Sequence, residues 1–318
     1  MTGRPSWGID ALLVLMVVIW GVNYSVIKRC FAEIPPQPFN ALRLVVGAGT
    51  FYLAIRAARQ ARESGGRLSS VFYTTAPLTT RDRIDLLWLG LVGHLAYQSC
   101  FAGGVGATSV SNAALIIGST PVAIATTSAL LGHERIAPLH WVGAAVALLG
   151  IYFVVGHGSS FGGANWKGDA LVMVSVACWV AYTLGATRLI ARHSPLYVTG
   201  MTMIIGAIPY ALLALPQILR IEWAVVSPWT WVALVLSAWL ALCLSYLIWY
   251  TGVQRLGPAR TSIYSNAIPI VALVTAAVWL HEPITATKAI GATAVLTGLF
   301  LTRLGRSAQA QHSAQRPR

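Results

Sequence analysis

The chain has 318 residues, 56% of them hydrophobic and 10% charged, where soluble domains carry about 25% charged residues. Apolar runs close to the ~20 residues needed to cross a bilayer recur along nearly its whole length, which excludes a soluble enzyme or binding module. The 22 basic residues outnumber nine acidic ones, and their placement decides what that excess means. Ten apolar runs occur, at 10–29, 37–57, 84–105, 109–131, 138–156, 168–190, 195–216, 228–253, 258–280 and 284–302. The expectation is an all-α integral membrane protein with ten transmembrane helices. With the N-terminus in the cytoplasm, 16 of the 22 Lys and Arg fall on the cytoplasmic side, as the positive-inside rule requires. Both termini are therefore expected in the cytoplasm, at a bacterial-type inner membrane. The lipid bilayer is the expected macromolecular environment, and nucleic acid is not a partner. The N-terminal run continues into WGVNYSVIK without an A-x-A-type cleavage site, so it is expected to stay as the first helix. Cys100, Cys178 and Cys243 fall in separate runs and build no disulfide framework.

In chain order, the first run carries Trp20, Asn23 and Tyr24. The second carries Arg43 about two turns in, where snorkelling or local pairing is expected rather than substrate binding. The third holds His94, Tyr97, Gln98 and Phe101, and positions 94, 98 and 101 share one helical face. His94 is the one histidine well inside a run, so it is a functional candidate by its depth, weighed against a neutral packing role. In the fourth run Pro121 deprives the Ile117 carbonyl of its donor, beside Ser119 and Thr120; in the ninth Pro269 does the same to Ser265, beside Asn266. Bending is the expected role of both prolines. Between them, the sixth run carries Trp179, Tyr182 and Thr183, and the eighth Tyr246 and Trp249. Glu134 and Glu282 precede the fifth and tenth runs, where a carboxylate suits the positive end of a helix.

A fixed-period repeat organises these elements. Shifted by 159, Trp20 meets Trp179 and Arg29 meets Arg188; shifted by 148, Pro121 meets Pro269 and His133-Glu134 meets His281-Glu282. Each half then holds five helices, an odd number, so the second enters the membrane from the opposite side and the two form inverted repeats. The expected units are a first five-helix repeat at 1–156, a second at 157–303 and a basic cytoplasmic tail at 304–318. Inverted repeats place substrates at the bilayer midplane. That points to Trp20, Asn23, Tyr24, His94, Tyr97, Gln98, Trp179, Tyr182, Tyr246, Trp249, Ser265 and Asn266 as substrate-binding residues. Pro121, Pro269, Glu134 and Glu282 are expected to be structural.

All nine acidic residues lie in loops or at run ends, so no embedded carboxylate is available to exchange a proton for a cationic drug. No midplane cluster of Lys and Arg suits a sugar phosphate. A neutral, aromatic-rich cavity with one His and several amides suits a zwitterion with an apolar side chain. Without G-x-x-x-x-G-K-[ST], ATP does not drive transport directly, and Ala137 and Thr285 interrupt any H-E-x-x-H zinc motif. No metal, cofactor or enzymatic activity is expected, because no convergent catalytic set accompanies His94.

The segments GHERIAPLHWVGAAVALLGIYF and LHEPITATKAIGATAVLTGLFL resemble the end of an EamA domain. WGVNYSVIKR resembles that family's first helix, and ATSVSNAALIIGSTPVAIA its fourth. The resemblance covers about residues 10–303 and implies a ten-helix carrier of the drug/metabolite transporter superfamily. It implies a small-molecule substrate and alternating access. Amino acid export, including aromatic or large apolar amino acids, leads; export of hydrophobic drugs, dyes or other neutral metabolites is the alternative. The embedded acidic residue of small multidrug carriers has no counterpart here. His94 leaves proton coupling open, and facilitated export down a gradient is the leading expectation. The oligomeric state is not encoded in these features.

Overall fold

The computed structural model describes residues 7–130, 138–156 and 166–314. Helix makes up 84% of the structure, and the described residues include no strand. Helix α1, Trp7–Cys30, opens with Asp10 and closes with Lys28 and Arg29, each sign matching its end of the helix dipole. Helix α2, Pro36–Glu63, starts on a proline, whose missing N–H has no role in a first turn. Helix α3, Thr80–Gly90, begins with a reciprocal Thr79–Asp82 capping box. It runs through a π-helical segment, π1, Leu91–Ala96, into α4, Tyr97–Ala107. Helices α5, Val110–Gly118, and α6, Thr120–Leu130, are separated at Ser119, and α7 is Pro138–Gly156.

The second half follows the same order. Helices α8, Trp166–Ile190, and α9, Pro195–Ile218, precede a short 3-10 turn at Trp223–Val225. Next, α10, Pro228–Ser237, passes through π2, Ala238–Leu244, into α11, Ser245–Leu256. Helices α12, Pro258–Ser265, and α13, Ile268–Trp279, flank a break at Asn266 and Ala267, and α14 is Ala286–Ala314. Among the described residues, seven helical stretches are long and apolar enough to cross a membrane, and Trp141–Gly150 is a shorter apolar one. The stretch α3–π1–α4 is not among the seven. Its start carries Arg81, Asp82, Arg83 and Asp85, and its middle His94 and Gln98, whereas its equivalent α10–π2–α11 reaches a mean hydropathy of 2.2.

Four of the runs are interrupted, two of them at the expected prolines. The third and eighth runs each contain a π segment, and the two segments occupy equivalent places in the repeat. A glycine of the facing helix packs on each. A Cβ on Gly206 would sit 2.5 Å from His94 Cβ in π1, and one on Gly47 would lie 3.8 Å from Leu242 Cβ in π2. The fourth and ninth runs are each two helices, broken just before Pro121 and Pro269. Thr120 answers the first break, its hydroxyl donating to the stranded Ile117 carbonyl at 2.6 Å. The breaks abut, since a Cβ on Gly118 would lie 2.5 Å from Pro269 Cγ.

Helix α7 packs along α14, α2 along α9, α4 along α8 and α1 along α13. Helices α7 and α14 approach closely. A Cβ on Gly150 would lie 2.6 Å from the Val295 nitrogen, and one on Gly298 would lie 2.5 Å from the Ala147 nitrogen. The small-residue faces of these helices therefore meet each other within one molecule, as small residues do at membrane helix interfaces. Large apolar side chains such as Leu53, Leu213 and Val278 face outward, the last 73% exposed, as a lipid-facing surface requires. The His133–Glu134 pair, including the expected structural role of Glu134, lies outside the described residues, as do Arg316 and Arg318.

Replacing Gly298 by Leu overpacks the α7–α14 seam. We expect a loss of about 1–3 kcal/mol, seen as a lower midpoint of thermal unfolding in detergent. Gly49→Leu, where a new side chain meets nothing within 4 Å, should leave the midpoint near that of the wild type.

Candidate substrate cavity

A buried cavity of about 60 Å³ lies where both halves converge. Helix α1 contributes Trp20, Asn23 and Tyr24, α2 Arg43, and α4 Tyr97, Gln98 and Phe101. Ile117 and Thr120 come from the α5–α6 break, Ser265 and Ile268 from the α12–α13 break. Trp179 of α8, Ala241 and Leu242 of π2, and Tyr246 and Trp249 of α11 complete the lining. Three indoles form its wall, with centroids 5.8 Å apart for Trp20–Trp179, 5.7 Å for Trp20–Trp249 and 5.7 Å for Trp179–Trp249. Tyr246 stands edge-on to Trp179 at 5.3 Å, and Tyr97 lies 5.1 Å from the same ring. These tilted and edge-on contacts suit the ring quadrupoles. Trp20 is fixed further by its Nε1, which donates to the Ala241 carbonyl in π2 at 2.9 Å. The π segment thus orients a cavity wall, a use typical of π-bulges at functional sites.

A polar chain crosses the cavity's edge. Arg43 Nη1 donates to Asn40 Oδ1 at 3.0 Å, Asn40 Nδ2 to Gln98 Oε1 at 3.2 Å, and Gln98 Nε2 to the Tyr246 hydroxyl at 3.0 Å. Gln98 and Tyr246 are 148 residues apart, so equivalent positions of the two halves bond directly to each other. A second chain lies one layer out. Thr202 gives its one proton to the backbone, to the Val198 carbonyl at 2.9 Å. It therefore accepts from Tyr182, whose hydroxyl lies 2.7 Å away, and Tyr182 in turn accepts from His94 Nε2 at 3.0 Å. This places the His94 proton on Nε2, and its buried Nδ1 has no partner.

Nine of the twelve residues expected to bind substrate line the cavity: Trp20, Asn23, Tyr24, Tyr97, Gln98, Trp179, Tyr246, Trp249 and Ser265. His94 and Tyr182 sit behind that lining. Asn266 faces elsewhere, into an open groove of about 700 Å³ that it shares with Asp10, Arg260 and Tyr264. Phe101 and Thr120, which sequence reasoning set beside these candidates, also line the cavity, and Arg43 joins them. Arg43 was expected to snorkel or pair locally. It does pair locally with Asn40, but only 1% of it is exposed. Its guanidinium lies over the Phe39 ring at 5.9 Å and the residue lines the cavity, so it does not snorkel to the membrane surface.

Polar contacts tie the helix ends together on both sides of the cavity. At one end Lys28 donates to the carbonyls of Val105, Gly106 and Thr108 at 2.7–2.9 Å, capping the C-terminus of α4. Glu282 accepts from the Val110 and Ser111 N–H groups at 2.8 and 3.1 Å. The carboxylate does meet unpaired N–H groups, but those of α5, in the other half, rather than of the helix that follows it. His281, at φ 54°, turns the chain so that Glu282 reaches across. Thr108 bonds Asp169 at 2.6 Å, and Ser227 N–H donates to Glu33 at 2.8 Å. At the opposite end Asp82, fully buried, receives Arg192 at 3.0 Å, while Arg188 bonds Asp85 at 2.7 Å.

An all-helical chain with a lipid-facing exterior around an aromatic and amide-lined cavity has the architecture of a membrane carrier. Comparison with known proteins gives the family: the chain belongs to the EamA-like transporter family, whose profile matches residues 7–156 and 166–304. It is 23% identical over 290 residues to the uncharacterized transporter YyaM of Bacillus subtilis, covering 89% of each chain. It is 24% identical over 308 residues to a probable amino-acid metabolite efflux pump of Salmonella typhimurium, covering 92% of this chain and 94% of that one. A protein of known crystal structure matches with a TM-score of 0.66 at 19% identity, covering 93% of this chain and 98% of its own. That likeness concerns the fold alone.

The Thr79 N–H donated to Asp82, its hydroxyl bond and Arg192 together hold the Asp82 carboxyl well below the usual carboxylate range. Because the folded-state value is depressed, the stabilisation is complete above the unfolded value of about 4 and is lost as pH falls through the lower folded one. Wild type should therefore lose thermal stability on acidification below pH ~4 more steeply than Asp82→Asn, as read by unfolding midpoints across pH.

Proposed function

We propose that the protein is a secondary transporter that exports amino acids or related small metabolites, aromatic or large apolar amino acids first among them. The observation that carries this reading is the cavity itself: indole and phenol rings beside Asn23, Gln98 and Arg43, with no carboxylate in its described lining. The rings suit an apolar side chain, and the amides and guanidinium suit polar ends. The likeness to a probable amino-acid metabolite efflux pump supports the same class. The two family matches along the chain support reading it as two five-helix inverted repeats, 1–156 and 157–303, with a basic tail at 304–318. Both termini then lie on the cytoplasmic side of a bacterial-type inner membrane.

The mechanism on this reading is alternating access. A cavity of about 60 Å³ holds on the order of four waters, fewer heavy atoms than a phenylalanine carries. The rings must part for loading, and the polar contacts at either end must open in turn. The ends are built for that, since each closure rests on a few polar contacts between the halves rather than on an apolar seam. Without a carboxylate in the lining, export down a concentration gradient needs no proton, and ATP has no binding motif.

Counterflow in proteoliposomes tests the proposal. Labelled Phe, Trp or Met should accumulate against unlabelled substrate without an imposed pH gradient. Trp179→Ala should lower that uptake at least tenfold if the ring wall holds the side chain, given ~1.4 kcal/mol per factor of ten. If no amino acid accumulates while neutral apolar dyes do, the drug-export alternative replaces this reading.

A further inference from the structure

The two halves build related pockets, and they are satisfied to different degrees. Thr202 and Tyr182 of the second half and His94 of the first form a chain closed at its threonine and tyrosine hydroxyls, each of which has partners. Their repeat counterparts are Arg43, Asn23 and Leu242, and all three line the cavity. Here the chain is not closed. Leu242 has nothing to offer a polar neighbour. Asn23 Oδ1 and Arg43 Nε are both buried without a hydrogen-bond partner. Among the described residues the Arg43 guanidinium donates one hydrogen bond, to the neutral Asn40, of the five it can make. None of the ion pairs among the described residues includes it.

A guanidinium stays protonated in proteins. Held inside a membrane protein without a counter-charge, it is costly, and such a cost persists where a ligand removes it. Arg presents a planar fork that matches a carboxylate. We infer that Arg43 is the carboxylate-binding residue of the cavity, and that the cargo is a monocarboxylate with an apolar or aromatic remainder. This rests on the transporter reading and narrows it. The indole wall takes the remainder, and the unpaired Asn23 oxygen accepts from an amino group where the cargo has one. Arg43 thus sets specificity for acids over their amides, and its counterpart Thr202 does not.

The test uses purified full-length protein in detergent, with ligand binding followed by thermal stabilisation. The probes are acid and amide pairs with one shared remainder: phenylalanine and phenylalaninamide, 3-phenylpropionate and its amide, and leucine and leucinamide. Wild type should bind at least one acid more tightly than its amide. Arg43→Gln, which keeps a donor for Asn40, should erase that preference with an increase in Kd of about 10- to 100-fold for the acid. Arg43→Lys should keep the preference at reduced affinity. Without ligand, Arg43→Gln should melt no lower than wild type, because it removes an uncompensated buried charge. A lower ligand-free midpoint would assign Arg43 to the scaffold and overturn the inference. So would amides binding as well as acids in wild type, or an acid preference that survives in Arg43→Gln. If 3-phenylpropionate binds and neither amino acid does, the amino acid reading fails while the inference stands. If no probe binds wild type, both fail.

Discussion

A chain that crosses lipid must satisfy its own backbone wherever a helix stops or changes register, and this requirement organises the whole molecule. The α4 C-terminus is met by Lys28, the α5 N-terminus by Glu282, and the carbonyl stranded before Pro121 by Thr120. The Ile190 carbonyl at the end of α8 receives Gln254, and the Ala241 carbonyl in π2 receives Trp20. Most of these side chains come from a helix distant in sequence. Irregular backbone is therefore what ties the helices together, and it lies beside the cavity and at its two ends.

Some of these partners stay within one half, but Glu282 and Trp20 come from the other, and polar side chains cross between the halves at each end of the helices. Glu282 and Asp169 reach from the second half to the α4–α5 corner, and Glu33 from the first half reaches Ser227. The α7–α14 seam differs in kind. It is lined by glycines, Gly150 against Val295 and Gly298 against Ala147, so it suits a fixed contact about which other helices shift.

The repeat, the helical class and most of the cavity lining were legible in sequence, because a buried aromatic such as Trp20 recurs as Trp179 at a fixed offset. The π segments were not, since a one-residue change of register leaves no mark on hydrophobic periodicity. Their nearest signal was Gly47 and Gly206, equivalent glycines whose reason appears only when a facing helix is seen on top of them. Arg43 was legible as a charge in an apolar run, but its depth depends on where α2 packs. At the break before Pro269, Ser265 lines the cavity and the next residue, Asn266, the outer groove, a division that adjacent positions in the sequence do not announce. The target of Glu282 was hidden because His281 takes a left-handed conformation that composition does not announce.

The indole cluster has an optical consequence. Trp20, Trp179 and Trp249 lie within 6 Å of one another, close enough for excitation to pass among them. Other tryptophans, including Trp88, Trp141, Trp166, Trp229 and Trp239, face outward toward lipid. A guest that separates the three rings changes their emission, while the lipid-facing population gives a steady background. The cavity carries its own fluorophores, and a change in the spacing of its three rings can be followed in unlabelled protein.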